Sequence, residues 1–174
     1  MVLGFISPHL NFEVISKKIK SVFPDETKVV LTTTAGELCT FDLDKKKDSL
    51  YHEANGSWQN IVLQSFSEDI IDKVEILTIP LFSENITSQT ISHEERISKI
   101  KNEILRLNIP FKINHTDCFA LTIVDGLSNS ESFLTEAVYE SGKLPCLLIG
   151  GSSGGKLDFQ ESYIFNNEQT TRHK

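Results

Sequence analysis

The sequence lacks any apolar run that approaches the roughly 20 residues of a membrane-spanning helix, which argues against an integral membrane protein. Its first ten residues, MVLGFISPHL, lack the basic segment that opens a secretory signal. Basic residues are outnumbered: 17 lysines and arginines face 24 aspartates and glutamates. The resulting net charge of −7 argues against nucleic acid and anionic membranes as partners. We therefore expect a cytoplasmic protein that binds neither.

Cysteine is also scarce. The chain has three cysteines, an odd number, and Cys39, Cys118 and Cys146 lie far apart in the sequence, each beside an apolar stretch. This spacing is not that of a disulfide framework, and no His, Cys and Asp cluster has the spacing of a zinc site. We expect buried, reduced thiols and no bound metal.

What remains is the composition of a globular domain: 174 residues, of which 39% are hydrophobic and 24% charged. Three stretches with apolar residues at helical spacing predict helices at 11–23, 92–108 and 129–141. Asn11 is the expected cap of the first helix, and Ser92–Glu95 and Ser128–Glu131 fit the capping-box pattern for the other two. Gly142 suits the end of the third helix. Strands are predicted at 2–6, 28–33, 60–66, 73–81, 118–126, 144–151 and 162–166.

The order of these elements predicts an α/β fold. Strand–helix–strand units imply a mixed, partly parallel β-sheet sandwich with helices packed on the sheet. The runs VVL, LTIV and LLI are apolar on both faces, which favours central buried strands. We expect one domain over residues 1–174. Because strands lie close to both ends of the chain, we also expect this domain to be part of a longer protein.

A glycine-rich segment, LLIGGSSGGKLD at 147–158, resembles a nucleotide-binding loop. Gly150, Gly155 and Lys156 fit the pattern G-x-x-x-x-G-K, but Leu157 stands where a magnesium-binding Ser or Thr is required. A helix must also follow such a loop, whereas LDFQESYIF is typical of a strand. The sequence therefore predicts that ATP and GTP do not bind here. The glycines must have another role, either in a tight strand connection or in a ligand pocket.

Small and polar residues follow three of the predicted strands, in LTTTAGE, LTIVDGLS and LLIGGSSGG. In open α/β sheets, ligands bind beyond the carboxyl ends of parallel strands. If these strands are parallel, their ends line one crevice that offers hydroxyls, a carboxylate and exposed backbone N–H groups. The candidate ligand-binding residues are Thr33, Thr34, Ala35, Gly36, Asp125, Gly126, Gly150, Gly151, Ser152, Ser153 and Gly154.

The sequence contains no recognisable catalytic set. Ser152 lacks the G-x-S-x-G elbow and the helix that must follow it, so a hydrolase or transferase using Ser152 or Ser153 is the least favoured function. Among the histidines, His9 lies between a strand and a helix cap and is the one candidate for a ligand or metal role. We expect the protein not to be an enzyme.

Three segments together resemble the FIST family of bacterial sensory domains. DCFALTIVDGLSNSESFLTEAVYESGKLPCLLIGGSSGGKLDFQESYIFNN is similar to the family's strand ending in DGLS, its helix, and its following strand ending in glycines. VVLTTTAGELC is similar to the strand that ends in a small-residue T-A-G-E turn, and VLGFISPHLNFEVISKKIKSVFP to the N-terminal strand and helix. The resemblance covers nearly the whole chain.

This resemblance implies a ligand-sensing input domain of a bacterial chemotaxis-type signalling protein. The expected ligand is a small molecule such as an amino acid, and the expected partners are a C-terminal FIST half and a signalling output domain in the full-length protein. A homodimer is left open. The alternative is a haem-binding nitric oxide sensor, with His9 as the first candidate for axial ligand and His115 as the second.

Overall fold

The computed structural model describes residues 1–39, 51–53, 59–83, 91–158 and 160–172. It confirms the α/β class. The predicted charged turn at 42–49, and all but the first residue of the polar stretch 83–90, lie outside the described residues. Within the described part of the chain, no helix is long and apolar enough to cross a membrane. The helices are α1 (Phe12–Val22), α2 (His93–Arg106) and α3 (Glu131–Ser141); the strands are β1 (Val2–Ile6), β2 (Val29–Thr33), β3 (Gly36–Leu38), β4 (Tyr51–Glu53), β5 (Ile61–Ser65), β6 (Phe119–Asp125), β7 (Leu147–Ser153), β8 (Tyr163–Phe165) and β9 (Thr170–Arg172).

The chain divides into two compact units, which we describe one at a time. The first comprises Met1–Ile76 and Ser153–Lys174, and the second comprises Leu77–Ser152. The first contains a five-stranded sheet in the order β5-β1-β2-β8-β9 and the antiparallel pair β3-β4. In the sheet, β1 and β2 are parallel, as the β1-α1-β2 order predicts, and the other pairs are antiparallel.

Helix α1 covers one face of this five-stranded sheet. The Asn11 side chain accepts a hydrogen bond from the Val14 N–H at 3.1 Å, which confirms the predicted cap. Phe12 and Ile19, two turns apart, place their side chains on the same side of the helix. They form a core with sheet residues at alternating positions: Val2, Ile6, Val29, Leu31 and Phe165.

The second unit is a β-α-β element with one additional helix. Strands β6 and β7 form a two-stranded parallel sheet, and α3 connects them. Helix α2 begins at the predicted cap, where the Ser92 hydroxyl accepts from the Glu95 N–H at 3.1 Å. Both helices pack on one face of this sheet, and the core consists of Ile97, Ile100, Ile104, Val124, Leu134, Ala137 and Val138.

The predicted capping box at Ser128 is wrong, because α3 begins at Glu131. The Ser128 hydroxyl donates to the Asp125 carbonyl at 2.6 Å, and the Ser130 hydroxyl donates to the Ser128 carbonyl at 2.8 Å. Asn129 has a φ of 46°, which a helix cannot contain. The serines therefore build the turn that precedes the helix and do not cap it. At the other end, Gly142 has a φ of 60°, as predicted for a helix-terminating glycine.

The strand predicted at 73–81 is also wrong: no strand forms there. Two apolar side chains of this segment, Ile79 and Leu81, lie against the core of the second unit. The short strands β3, β4 and β9 were not predicted, because three residues are too few to show a period. Strand β7 begins at Leu147 and runs to Ser153, so it starts and ends later than the predicted 144–151.

Burial contradicts the prediction that LTIV and LLI form strands buried on both faces. Strand β2, which contains VVL, is central in its sheet and largely buried. In β6 and β7, by contrast, the side chains that point away from the helices are accessible: Phe119 is 54% and Leu147 is 64% exposed. We call this accessible apolar surface, formed by Phe119, Leu121, Leu147 and Ile149, the open face of the second unit.

Candidate functional site

The predicted site residues that follow β2 are tied into the first unit by hydrogen bonds. The Thr33 hydroxyl is buried and accepts from the Tyr163 N–H at 2.9 Å. The Thr34 hydroxyl donates to the Glu37 carboxylate at 2.7 Å, and Glu37 is itself only 4% exposed. These hydrogen bonds hold the T-A-G-E turn in place. They involve the same threonine hydroxyls that were predicted from the sequence to contact a ligand.

Gly154 passes directly against this turn. Its N–H donates to the Thr33 carbonyl at 2.9 Å, and a Cβ at this position would lie 2.6 Å from the Ala35 nitrogen. The neighbouring Ser153 is buried. Gly154 therefore allows two backbone segments of the first unit to approach closely, which is a structural role and not a ligand contact.

In the second unit, Asp125 ends β6 and organises the turn into α3. Its Oδ1 atom accepts a hydrogen bond from the Leu127 N–H at 2.9 Å, and its carbonyl accepts from the Ser128 N–H at 3.0 Å. An aspartate that bonds to the backbone two residues ahead stabilises a turn. The carboxylate is half-buried, so it also borders solvent at the carboxyl end of the strand.

The contacts of Gly150 indicate how the parallel strands β6 and β7 are aligned. A Cβ on Gly150 would lie 1.8 Å from the Thr122 carbonyl oxygen, and the Thr122 hydroxyl donates to the Ile149 carbonyl at 3.2 Å. Thr122 therefore opposes Gly150. The same offset pairs Phe119 with Leu147, the first residues of the two seven-residue strands.

This register assigns the predicted residues of the second unit to two faces. Alternation along β7 places Ser152 on the side of the helices, where its hydroxyl donates to the carboxylate of Glu131 at the start of α3. Gly151 lies on the other side, and no atom approaches within 4 Å of the place where its Cβ would be. Asp125 shares this side, together with the exposed residues of the open face.

The eleven predicted residues are thus distributed between two units. The second unit contributes an accessible apolar surface that ends at a carboxylate and a bare glycine. Sequence reasoning missed this surface, since it interpreted the same apolar residues as buried core. The members in the first unit are Thr33, Thr34, Ala35, Gly36, Ser153 and Gly154; those in the second are Asp125, Gly126, Gly150, Gly151 and Ser152.

Sequence reasoning also missed Arg96, which lies almost fully buried in the second unit. Its Nε–H donates to the Leu81 carbonyl at 2.8 Å, and its NH2 group donates to the Ser130 hydroxyl at 2.5 Å. The guanidinium also lies 4.1 Å from the centre of the Phe133 ring. The sequence contained one signal for this role. Arg96 lies four residues before Ile100, on the apolar side of α2, where a charged residue is unusual.

The haem alternative depends on His9 and His115. His9 is half-buried in the turn after β1, and His115 is exposed in the turn before β6. In the described ranges, no group of three His, Cys, Asp or Glu residues could hold a metal ion. Haem binding stays a prediction, and a Soret band that survives desalting of the purified protein is the measurement that tests it.

The chain after the glycines does not form the helix that a phosphate-binding loop needs. Residues 154–158 and 160–162 are irregular or bent, and the next regular element is β8. Leu157 has a φ of 62°, a left-handed conformation that also ends any extended run. Without a helix N-terminus, no dipole or row of N–H groups faces an anion here.

We therefore expect fluorescent ATP and GTP analogues to show no saturable binding up to millimolar concentration. The measurement is an equilibrium titration followed by fluorescence anisotropy, with a known nucleotide-binding protein as the positive control. Saturation in the micromolar range would contradict the interpretation of this loop.

The fold defines this chain as a mixed α/β domain, and comparison with known proteins gives the family. The model of the FIST N domain matches residues 1–174, the whole chain. The protein therefore belongs to the FIST N domain family, a family of sensory-type signalling domains and not of enzymes. The same comparisons returned no match among curated proteins or among solved structures.

Proposed function

We propose that this domain is the ligand-sensing input of a bacterial chemotaxis-type signalling protein, and that it binds a small molecule without chemically changing it. Membership of a sensory family supports a signalling role. The ligand we propose has an apolar part and an ammonium or hydroxyl group. In the full-length protein, a C-terminal FIST half and an output domain would pass the signal on.

One observation supports this proposal above the others: the open face ends at Asp125 and Gly151. Soluble proteins leave large apolar side chains accessible in clusters mainly where something binds. Leu121 and Ile149 would contact the apolar part of the ligand, and the Asp125 carboxylate would accept a hydrogen bond from its polar end. The missing side chain at Gly151 leaves room for the ligand beside the strand.

The Ser152 contact favours binding over hydrolysis. A nucleophilic serine needs a base that takes its proton, and histidine is the usual one. The Ser152 hydroxyl donates to the carboxylate of Glu131, which is exposed at the start of α3. This arrangement is typical of a hydrogen bond that joins a strand end to a helix start.

The experiment is a thermal-shift screen of small metabolites, followed by calorimetric titration of each compound that raises the melting temperature. We expect the active compounds to share a cationic or hydroxyl group on an apolar body.

Asp125→Asn should weaken their binding about 10- to 100-fold while costing at most about 1 kcal/mol of stability, since the amide oxygen still accepts the turn hydrogen bond. Gly151→Val should abolish binding, because its side chain occupies the space that the ligand needs beside the strand. It should leave the fold intact, because no atom lies within 4 Å of the new Cβ.

One matched control lies just before β6, and the other lies in a different sheet. Asp117→Asn changes an exposed aspartate just before the opposite end of β6, and Gln64→Val adds a β-branched residue to an exposed position of β5. Neither should alter affinity. If Asp125→Asn and Gly151→Val bind the active compounds as tightly as the unmodified protein, the site lies elsewhere. If no compound in a broad screen shifts the melting temperature, the small-molecule proposal fails.

A further inference from the structure

The fold brings together two cysteines that the sequence keeps 28 residues apart. Cys118 immediately precedes β6, and Cys146 immediately precedes β7. The strands are parallel, and the offset that pairs Thr122 with Gly150 also pairs their first residues, Phe119 and Leu147, so each cysteine lies one residue before this pair. Both residues belong to the second unit, both thiols are free, and both are half-buried, not buried as expected from the sequence.

Both cysteines lie directly before the paired ends of β6 and β7, just outside the strand ladder. Burial, and after it the neighbouring Cys118, raises the pKa of the Cys146 thiol. Adjacent strands are about 4.8 Å apart where Phe119 and Leu147 pair, and this spacing lies within the span of about 4.4–6.8 Å between the Cα atoms of disulfide-bonded cysteines.

We propose that Cys118 and Cys146 form a two-thiol oxidation site, which closes to an intrachain disulfide with a peroxide as the oxidant. One thiolate attacks an oxygen of hydrogen peroxide, which breaks the O–O bond, forms a sulfenic acid and releases water once the hydroxide is protonated. The second thiolate attacks the sulfenic sulfur, which forms the S–S bond and releases a second water. Two electrons pass from the two sulfurs to one peroxide, and the two thiol protons end in the two waters.

The position of the pair suits a reversible bond. Cys146 lies in a bend, where its N–H donates to the Leu144 carbonyl at 2.8 Å, and Cys118 lies in the chain just before β6. Outside the strand ladder, the backbone can move the two Cβ atoms to the separation of about 3.5–4.5 Å that a disulfide requires. Accessible or strained disulfides are the ones that cellular thiols reduce readily.

The third cysteine, Cys39, is a built-in control, since it lies in the first unit and is also half-buried. Trypsin separates the three cysteines into three peptides: 29–45 contains Cys39, 113–143 contains Cys118, and 144–156 contains Cys146. After brief treatment with hydrogen peroxide, free thiols are alkylated in denaturant and the digest is examined by mass spectrometry without reduction. We expect peptides 113–143 and 144–156 to appear as one linked species, peptide 29–45 to remain alkylated, and dithiothreitol to reverse the link.

Variants and pH sharpen this test. Cys39→Ser should form the link as the unmodified protein does, whereas Cys118→Ser and Cys146→Ser should form no intrachain link.

The rate of disulfide formation should increase from pH 7 to pH 9, because Cys146 reacts as a thiolate and its raised pKa keeps it protonated at neutral pH. The proposal is overturned if both thiols stay alkylatable, if each oxidises separately to a sulfinic acid, or if the links formed involve Cys39 or a second chain. The mapping in the unmodified protein decides this even if a variant does not fold.

Discussion

Gly150→Ala is expected to destabilise the protein by about 3 kcal/mol or more, although it adds a single carbon atom. The new Cβ would lie 1.8 Å from the Thr122 carbonyl oxygen and 2.7 Å from the carbonyl carbon. Both atoms belong to the backbone of the neighbouring strand, so neither can rotate away. The φ of +151° at Gly150 adds strain, because residues with a side chain rarely adopt it. Either β6 and β7 separate locally or β7 changes its path.

Gly151→Ala is the matched control for this prediction. It makes the same chemical change one residue further along the same strand, where no atom lies within 4 Å of the new carbon. We expect its free energy of unfolding to stay within about 1 kcal/mol of the unmodified protein, and to rise if it changes, because alanine has less conformational entropy to lose than glycine. Urea unfolding followed by circular dichroism gives both values. Equal stabilities of the two variants would contradict the close contact between Gly150 and Thr122.

Arg96→Met is expected to cost about 2–4 kcal/mol of unfolding free energy. Methionine preserves most of the apolar stem of arginine but removes the donors to the Leu81 carbonyl and the Ser130 hydroxyl. It also removes the cation over the Phe133 ring. Because Arg96 is only 3% exposed, water cannot freely replace the lost bonds. This one side chain connects α2 to the segment before it and to the start of α3.

Two further variants test the reason for this loss. Lys99→Met removes a cation one turn along α2, where the ion pair with Glu95 at 3.3 Å is exposed, and should cost less than about 1 kcal/mol. Arg96→Lys keeps the charge but not the planar fork of donors, and should fall between the two methionine variants. Thermal or urea unfolding measures all three. If Arg96→Met were as stable as Lys99→Met, the buried guanidinium would contribute nothing to the second unit.

Local signals in the sequence predicted the helices α1 and α2 well. Asn11 and Ser92 cap them because a side-chain oxygen three residues before a backbone N–H is a contact within one turn of chain. The third helix shows the limit of such signals. Ser128 has the residues of a capping box around it, but its hydroxyl bonds to Asp125, and Asn129 adopts a positive φ. Two local arrangements competed for the same serines, and the pattern alone could not decide between them.

Strand patterns were less informative, because a strand is completed by its partner. The apolar segment 73–81 has the composition of a strand and packs without forming one, whereas β3, β4 and β9 form through pairing despite their short length. The runs in β6 and β7 are apolar on both faces, and the structure buries only one of them. A period along the chain shows which side chains share a face, but not whether anything covers that face.

The sequence by itself determined the α/β class, two of the helix starts, the glycine that ends α3, and membership of the FIST N domain family. These depend on residue type and on contacts within a few residues, which the order of the chain contains. Only the tertiary structure decided that Thr122 opposes Gly150, that Arg96 reaches Ser130, that Cys118 and Cys146 precede neighbouring strands, and that the apolar residues of β6 and β7 form an open face. Each of these joins or exposes residues far apart in the sequence, and their positions follow from the pairing and packing of whole elements, which no local pattern specifies.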